Sequence, residues 1–363
     1  MRNNLKYYIA FSKSVDIGAR TMQKLAHHFS SIEEAWNASA SEYRKYLFPD
    51  KIIAKITDLK SKINPDEELD KIEKLGIKTV TIEDKNYPRL LKEIPDPPAL
   101  LYYKGELLPQ DDLAVAVIGS REYTFYGRQA LERLVPPIAN SGITIVSGLA
   151  LGIDSYAHRE ALKVKNARTL AILPVGVDKV YPACHKGLAD EIINGRGAII
   201  SEFPIGTPSL PSNFPVRNRI IAGISLATLV IEANIKSGSF ITAKSALDYN
   251  REVLAVPGSI FSSKSEGTNG LIKMGAKMVT RVEDIFDELN IKQRSCEQVA
   301  RKVIAESKEE EIILNVLDKE KPEHVDKIVK LSNIDISKLN SILLIMEMKG
   351  KVRNIGGNLY IRR

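Results

Sequence analysis

Between residues 70 and 285, short apolar runs rich in β-branched residues alternate with amphipathic stretches. The runs are TVTI (79–82), AVAVIG (114–119), TIVSG (144–148), TLAILPVG (169–176), AIISE (198–202), ATLVIEA (227–233), EVLAVPG (252–258) and KMVT (277–280). Between them, YGRQALERLVPPIA, SYAHREALK, KGLADEIIN, RIIAGI, TAKSALDYN and NGLIKMG carry apolar residues at helical spacing. Most strands are apolar at every position rather than every second one. That is the pattern of parallel strands covered on both faces. The alternation predicts an α/β fold, a doubly wound parallel sheet over residues 66–288. LLKEIPDPPALLYYKG reads as an extended segment broken by prolines.

The flanks differ. Residues 1–62 have helical spacing throughout, with RTMQKLAHHF and EYRKYLF as amphipathic pieces. SVDIGARTMQKL places Gly18 before a helix, as in a helix-hairpin-helix element, but Asp16 stands where a second glycine belongs. A packing or interaction role is favoured there over DNA backbone binding. SKINPDEEL (61–69) is a polar linker, and residues 286–307 form a charged connection. Over residues 305–363, three helix patterns (EEEIILNVLD, VDKIVKLS, ISKLNSILLIMEMKG) precede KVRNIGGNLYIRR, a hairpin with a Gly-Gly turn. This is the make-up of a winged helix. Its third helix offers Lys338 and Lys349 but also Glu347 and no arginine, which favours an interaction or regulatory role over reading duplex DNA. Arg362 and Arg363 lie on the wing.

Composition narrows the class. No run of about 18 uncharged apolar residues exists, so no membrane span is expected. The start, MRNNLKYYIAFSKS, lacks a clear cleavage site for a signal peptide. Cys184 and Cys296, the two cysteines, argue against a disulfide framework or a cysteine zinc site and fit a reducing cytoplasm. The net charge of +7 is spread over all three regions, so bulk charge says little about nucleic acid. Placement says more.

In a parallel sheet the turns after the strands share the carboxyl edge, where open α/β folds bind ligands. Here those turns are GSR (119–121), Ser147-Gly148 leading into GLALGID, PVG (174–176) and NIKSGSFITA (234–243). Glycines let a backbone approach an anion, and helix starts aim N–H groups at it. Cations follow the same edge: Arg121, Lys236 beside Ser237-Gly238-Ser239, and Arg217 with Arg219 in NFPVRNRIIAG. A helix start disfavours cations, yet no Asp or Glu stands between Glu202 and Glu232. Bound phosphates would offset that repulsion. Arg217 and Arg219 face different sides of a helix, so one of them is expected to reach a ligand. Phe214 is positioned to stack a base or to staple its own helix. Asp154 and His158, spaced i, i+4, form either an acid–base pair or a cap and a structural hydrogen bond. Glu202 and Glu232 end strands, but no nucleophile accompanies them. HExxH, GxxxxGK[ST], GxSxG and GxGxxG are absent.

The ordered motifs GSREYTFYG, IVSGLALGIDSYAHREAL, GVDKVYP, IISEFPIGT, FPVRNRIIAG, LVIEANIKSGSFITA, REVLAVPGSI and GTNGLIKMGA closely resemble the DNA-processing protein A family (DprA, also called Smf). The resemblance implies an extended Rossmann-like domain between a sterile-alpha-motif-like helical domain and a winged helix. It implies a cytoplasmic, non-enzymatic recombination mediator without cofactor or metal. Such a protein binds incoming single-stranded DNA in natural transformation, displaces or bypasses single-strand binding protein, loads RecA, and dimerises through the Rossmann-like domain. The family's pocket motifs map to Gly119-Ser120-Arg121, Phe214-Pro215-Arg217-Asn218-Arg219 and Ser237-Gly238-Ser239. Ser147 and Gly148 join the phosphate-binding set, as does Lys236. Where the family has a pocket lysine before the FP motif, this chain reads Leu210-Pro211-Ser212-Asn213, so Asn213 offers a hydrogen bond in place of a charge. The alternative is a nucleotide-processing Rossmann-like enzyme of the phosphoribohydrolase type. Such enzymes use a PGGxGT loop, and the comparable Lys236–Thr242 segment lacks PGG.

Overall fold

The apolar runs pair into one nine-stranded sheet. The structure is a computed structural model that describes residues 2–235, 237–290, 308–317, 322–348, 351–354 and 357–362. The strands are β1 (Lys78–Thr81), β2 (Leu100–Gly105), β3 (Ala114–Ile118), β4 (Thr144–Ser147), β5 (Thr169–Ile172), β6 (Ala198–Ser201), β7 (Ala227–Val230), β8 (Glu252–Ala255) and β9 (Lys277–Met278). Their spatial order is β1-β2-β6-β5-β4-β3-β7-β8-β9. From β6 to β9 every neighbour is parallel. The first two strands run antiparallel to their neighbours. The proline-broken segment therefore yields a short helix, Arg89–Lys92, and then β2 near the sheet's edge.

Every residue of β3, β4, β5, β6 and β7 is buried. Along β3, Val115 and Val117 enter the core under helices Phe125–Asn140 and Ile153–Leu162. Ala114, Ala116 and Ile118 enter the opposite core, under helices Asn213–Gly223 and Gly238–Asp248. Two covered faces leave no polar phase to alternate with, which is why the strands read as continuous apolar runs.

The N-terminal helices share a third core with the β2–β6 side of the sheet, through Tyr8, Phe11, Leu25 and Trp36 together with Tyr102, Leu173 and Ile199. Polar ties reinforce it: Ser12 to Tyr102 at 2.7 Å, Tyr8 to Glu83 at 2.7 Å and Lys13 to Glu68 at 2.9 Å. Residues 1–292 form one compact unit and 293–363 a second.

The second unit contains helices Lys308–Val316, Val325–Ser332 and Ile336–Met348. Strands β10 (Glu323–His324), β11 (Val352–Asn354) and β12 (Leu359–Arg362) form an antiparallel sheet in the order β10-β12-β11. Ile313, Leu314, Ile328, Leu339, Leu343 and Met346 make its core. Lys349, Arg363 and Cys296 lie outside the described residues.

Candidate nucleic-acid interface

Strand order reverses at β3. The chain runs outward through β4, β5 and β6 on one side and through β7, β8 and β9 on the other. Beyond β3 and β7, the two loops diverge to opposite faces and open a crevice at the switch point.

Those loops are stitched together by residues expected to hold phosphate. Ser120 donates its N–H to the Glu232 carbonyl at 2.8 Å. The Ser239 hydroxyl donates to the Gly119 carbonyl at 3.0 Å. The Glu232 carboxylate accepts from the N–H and hydroxyl of Thr124, at 2.9 and 2.5 Å. Thr124 caps helix Phe125–Asn140, so Glu232 places its charge against that helix's positive end. The strand-end Glu232 is thereby committed to structure. Gly152, at φ +85°, lets the next loop pack against the Ser120 carbonyl and the Arg121 backbone. Ile153 N–H closes that contact on the Ser120 carbonyl at 3.0 Å.

Beneath this rim Arg217 is a buried hub. Nη1 donates to the carbonyls of Gly148 and Ile172, and Nε to Asn218 Oδ1 at 3.1 Å. It faces the buried Asp154, which accepts from the N–H groups of Gly148 and Ala150. Burial lowers the Arg217 pKa to about 10, against the opposing pull of Asp154, and raises that of Asp154 against the pull of Arg217. Gly148 has to be glycine, because a Cβ would collide with the Arg217 guanidinium and the Asp154 carboxylate. Nη2 of Arg217 makes no hydrogen bond to the described residues. Arg217 lines a small pocket of about 50 Å³ with Arg121, Phe214, Tyr181 and Pro174.

Arg121 is exposed and has no carboxylate partner among the described residues. Its guanidinium lies 5.1 Å from the centroid of the Phe214 ring, and Tyr181 meets that ring edge-on at 5.6 Å. Charge and aromatic platform thus form one surface.

The structure corrects several sequence expectations. Arg219 turns away from the rim, ion-pairs with Glu202 and Asp96, and donates to the Asp96 carbonyl at 2.8 Å. The acids missing from segment 203–231 are supplied by Glu202 at its near edge and by Asp96, 123 residues away, and local sequence could not show the second. Asn213 is buried and spends its amide on the carbonyls of Pro174 and Pro208, at 3.0 and 3.2 Å. The Ser147 hydroxyl donates to Val117 O at 2.6 Å, and both backbone groups of Gly148 are engaged by Asp154 and Arg217. These four residues shape the rim and are not free to contact phosphate. Asn218 links Arg217 to the Gly238 carbonyl at 3.4 Å. Gly238 is exposed at the start of its helix, and the Ser237 hydroxyl is enclosed without a hydrogen-bond partner among the described residues. Lys236 lies outside the described residues.

Asp154 and His158 are not an acid–base pair. His158 is fully buried, with Nδ1 2.6 Å from Thr169 Oγ1, and burial drops its pKa to about 3. Sequence reasoning missed Tyr181 and Lys264. Lys264 Nζ donates to Ser120 Oγ and pairs with Glu122, each at 3.2 Å. Tyr181 could have been found, since its VYP motif follows β5 and so belongs to the carboxyl edge. Lys264 gave no such signal, because it stands alone in a serine-rich loop.

Comparison with known proteins agrees with this architecture. The sequence profile described as DNA recombination-mediator protein A matches residues 78–290, and that of the DprA winged helix domain matches 299–358. Protein Smf of Synechocystis is 33% identical over 393 residues, covering 98% of each chain. DNA processing protein DprA of Bacillus subtilis is 42% identical over 215 residues, 59% of this chain and 72% of that one. The X-ray structure of DprA from Streptococcus pneumoniae aligns at TM-score 0.69 and 34% identity, over 78% of this chain and 97% of that chain. DNA processing protein A from Helicobacter pylori, whose structure was described for its single-stranded DNA binding mode, aligns at TM-score 0.53 and 30% identity, over 59% and 95%.

Proposed function

This chain belongs to the DNA recombination-mediator protein A family, and from that premise we propose that it binds single-stranded DNA along the carboxyl rim of its sheet. The observation that carries this reading is Arg121: an exposed guanidinium without a carboxylate partner among the described residues, held over Phe214. A phosphate meets the charge of Arg121, with Nη2 of Arg217 below it. A base stacks on the flat guanidinium backed by the Phe214 ring, or on the ring itself when Arg121 swings to phosphate. The backbone N–H groups of Gly238 and Ser239, at a helix start, and Lys236 would extend the phosphate track. Such contacts read backbone and π-face and carry little sequence information. The single-strand binding of the Helicobacter pylori relative supports the same assignment.

The wider role is a recombination mediator in natural transformation. The protein would act as a homodimer through its Rossmann-like domain, without catalytic turnover, and load RecA on strands held by single-strand binding protein. Salt-dependent fluorescence anisotropy with single- and double-stranded oligonucleotides tests the binding. Single strands should bind more tightly, with a steep dependence on salt; equal affinity for duplex, or none for single strands, overturns it. RecA ATPase measured on strands coated with single-strand binding protein tests the loading step, which should accelerate when this protein is added.

A further inference from the structure

A second cavity opens on the other side of the β3 loop. It has a volume of about 480 Å³ and is lined by Thr124, Tyr126, Glu232, Pro257, Ser259 and Ser262, among others, the Glu232 carboxylate being held by Thr124. Its outer wall is the loop after β8, and that loop is firmly braced. Asn269 holds both backbone groups of Gly258, at 3.1 and 3.0 Å. Ser262 N–H bonds to Ser259 O at 3.0 Å, Ser265 N–H to Ser262 O at 2.9 Å, and Lys264 O accepts from Ala233 N–H at 2.8 Å. The Tyr126 hydroxyl donates to Pro257 O at 2.5 Å. This braced loop nevertheless displays Ile260 and Phe261 to solvent, 83% and 94% exposed, and Phe125 beside Tyr126 is 72% exposed. Apolar side chains displayed from a braced backbone next to a cavity mark a binding surface more than incidental exposure does.

Lys264 connects this cavity to the Arg121 site, because its ammonium rests on Ser120 Oγ while its own loop forms the cavity wall. Its other partner, Glu122, is itself 88% exposed, so the pair is weak and a phosphate can replace the carboxylate. Arg121 and Thr124 are three residues apart, a span of at most about 10 Å. A strand leaving the Arg121 pocket therefore meets a cation, then a cavity with an aromatic wall, on one continuous rim.

We propose that this cavity is a second nucleobase subsite for the same single strand. Lys264 takes the linking phosphate, Tyr126 forms the wall, and Phe261 is the stacking platform at its mouth. The proposal rests on the single-strand reading above and adds a direction of travel: from Phe214 across Ser120 toward the β8 loop.

The test is competition anisotropy on the full chain with an oligothymidylate of about two nucleotides, too short to leave the Arg121 site, and one of about twenty. Phe261→Ala should weaken the longer strand about three- to tenfold and leave the shorter one unchanged. Lys264→Gln should lower the salt slope of the longer strand by about one. Arg121→Ala should weaken both strands. If Arg121→Ala weakens both while Phe261→Ala and Lys264→Gln alter neither, the second subsite is wrong and the first stands. If Arg121→Ala also changes nothing, both readings fall. If Phe261→Ala spares DNA affinity but changes the mass in light scattering or the stimulation of RecA, the surface belongs to a protein partner and the proposal is overturned.

Discussion

The guanidinium of Arg121 lies over the ring of Phe214, 5.1 Å from its centroid, so an exposed cation of the rim and an aromatic platform are one object. Tyr181 supports the ring from the side. A base cannot stack on the covered face of Phe214 while Arg121 remains there. It either meets the guanidinium plane or waits for Arg121 to move to a phosphate. The two residues should therefore behave as a coupled pair.

A double-mutant cycle measures that coupling. Arg121→Ala should weaken binding to oligothymidylate and shallow the salt slope by about one. Phe214→Ala should cost about 1–3 kcal/mol with little change in slope. The double variant should lose less than the sum, by about 0.5–2 kcal/mol. Strict additivity in titrations would show that the two residues act separately.

Gly152 is where backbone geometry sets the position of Arg121. At φ +85° a side chain is strained, and a Cβ would press on the Ser120 carbonyl and the Arg121 backbone. Gly152→Ala should cost about 1–3 kcal/mol of stability. It should also lower single-strand affinity, as Arg121→Ala does, although residue 152 carries no charge. Thermal melting and anisotropy on the same sample separate the two effects.

Arg217 should matter to folding first. Removing it strands the Gly148 and Ile172 carbonyls and leaves Asp154 buried without its cation. Arg217→Ala should destabilise by about 3–5 kcal/mol in urea unfolding. Adding Asp154→Asn should recover part of that, since the uncompensated charge is then gone.

Glu202 gives a pH signature. Burial pushes its pKa up to about 7, against the opposing pull of Arg219 and with Asp96 adding to the rise. A carboxyl raised in the folded state binds its proton more tightly there than when unfolded. Its contribution to stability is thus full below the ordinary glutamate pKa of about 4.3 and is lost as pH climbs to about 7. Glu202→Gln should flatten this component of the melting temperature between those limits. An unchanged profile would place the charged pair with Arg219 well below that range.

The winged helix should contribute little to duplex binding. Its third helix exposes Ile336, Asn340, Leu344 and Ile345, while Lys338 pairs with Glu309 at 3.0 Å. A groove-reading helix needs cations and amides facing outward. Residues 1–292 should match the intact chain in single-strand affinity. A duplex gel shift that depends on residues 293–363 would refute this.

Some of this was legible in the chain itself. Continuous apolar strands announce a sheet covered on both faces, and glycines after those strands mark its carboxyl edge. The opposite facing of Arg217 and Arg219 follows from helical periodicity alone. All of these are local or periodic properties, carried by neighbours in sequence. Which arginine reaches the rim is a different matter. Arg219 was claimed by Glu202 and Asp96, Arg217 was drawn under Gly148, and of these three Arg121 was left exposed, over Phe214. Each outcome depends on a partner beyond the helix itself, most of them from distant segments brought near by strand order. The same holds for Lys264, whose relation to Ser120 spans 144 residues. Sequence sets where backbone can turn and what it must bury, because those energies are local. Pairing of charges is decided by whatever the fold places within a few ångströms, and only the assembled sheet supplies that.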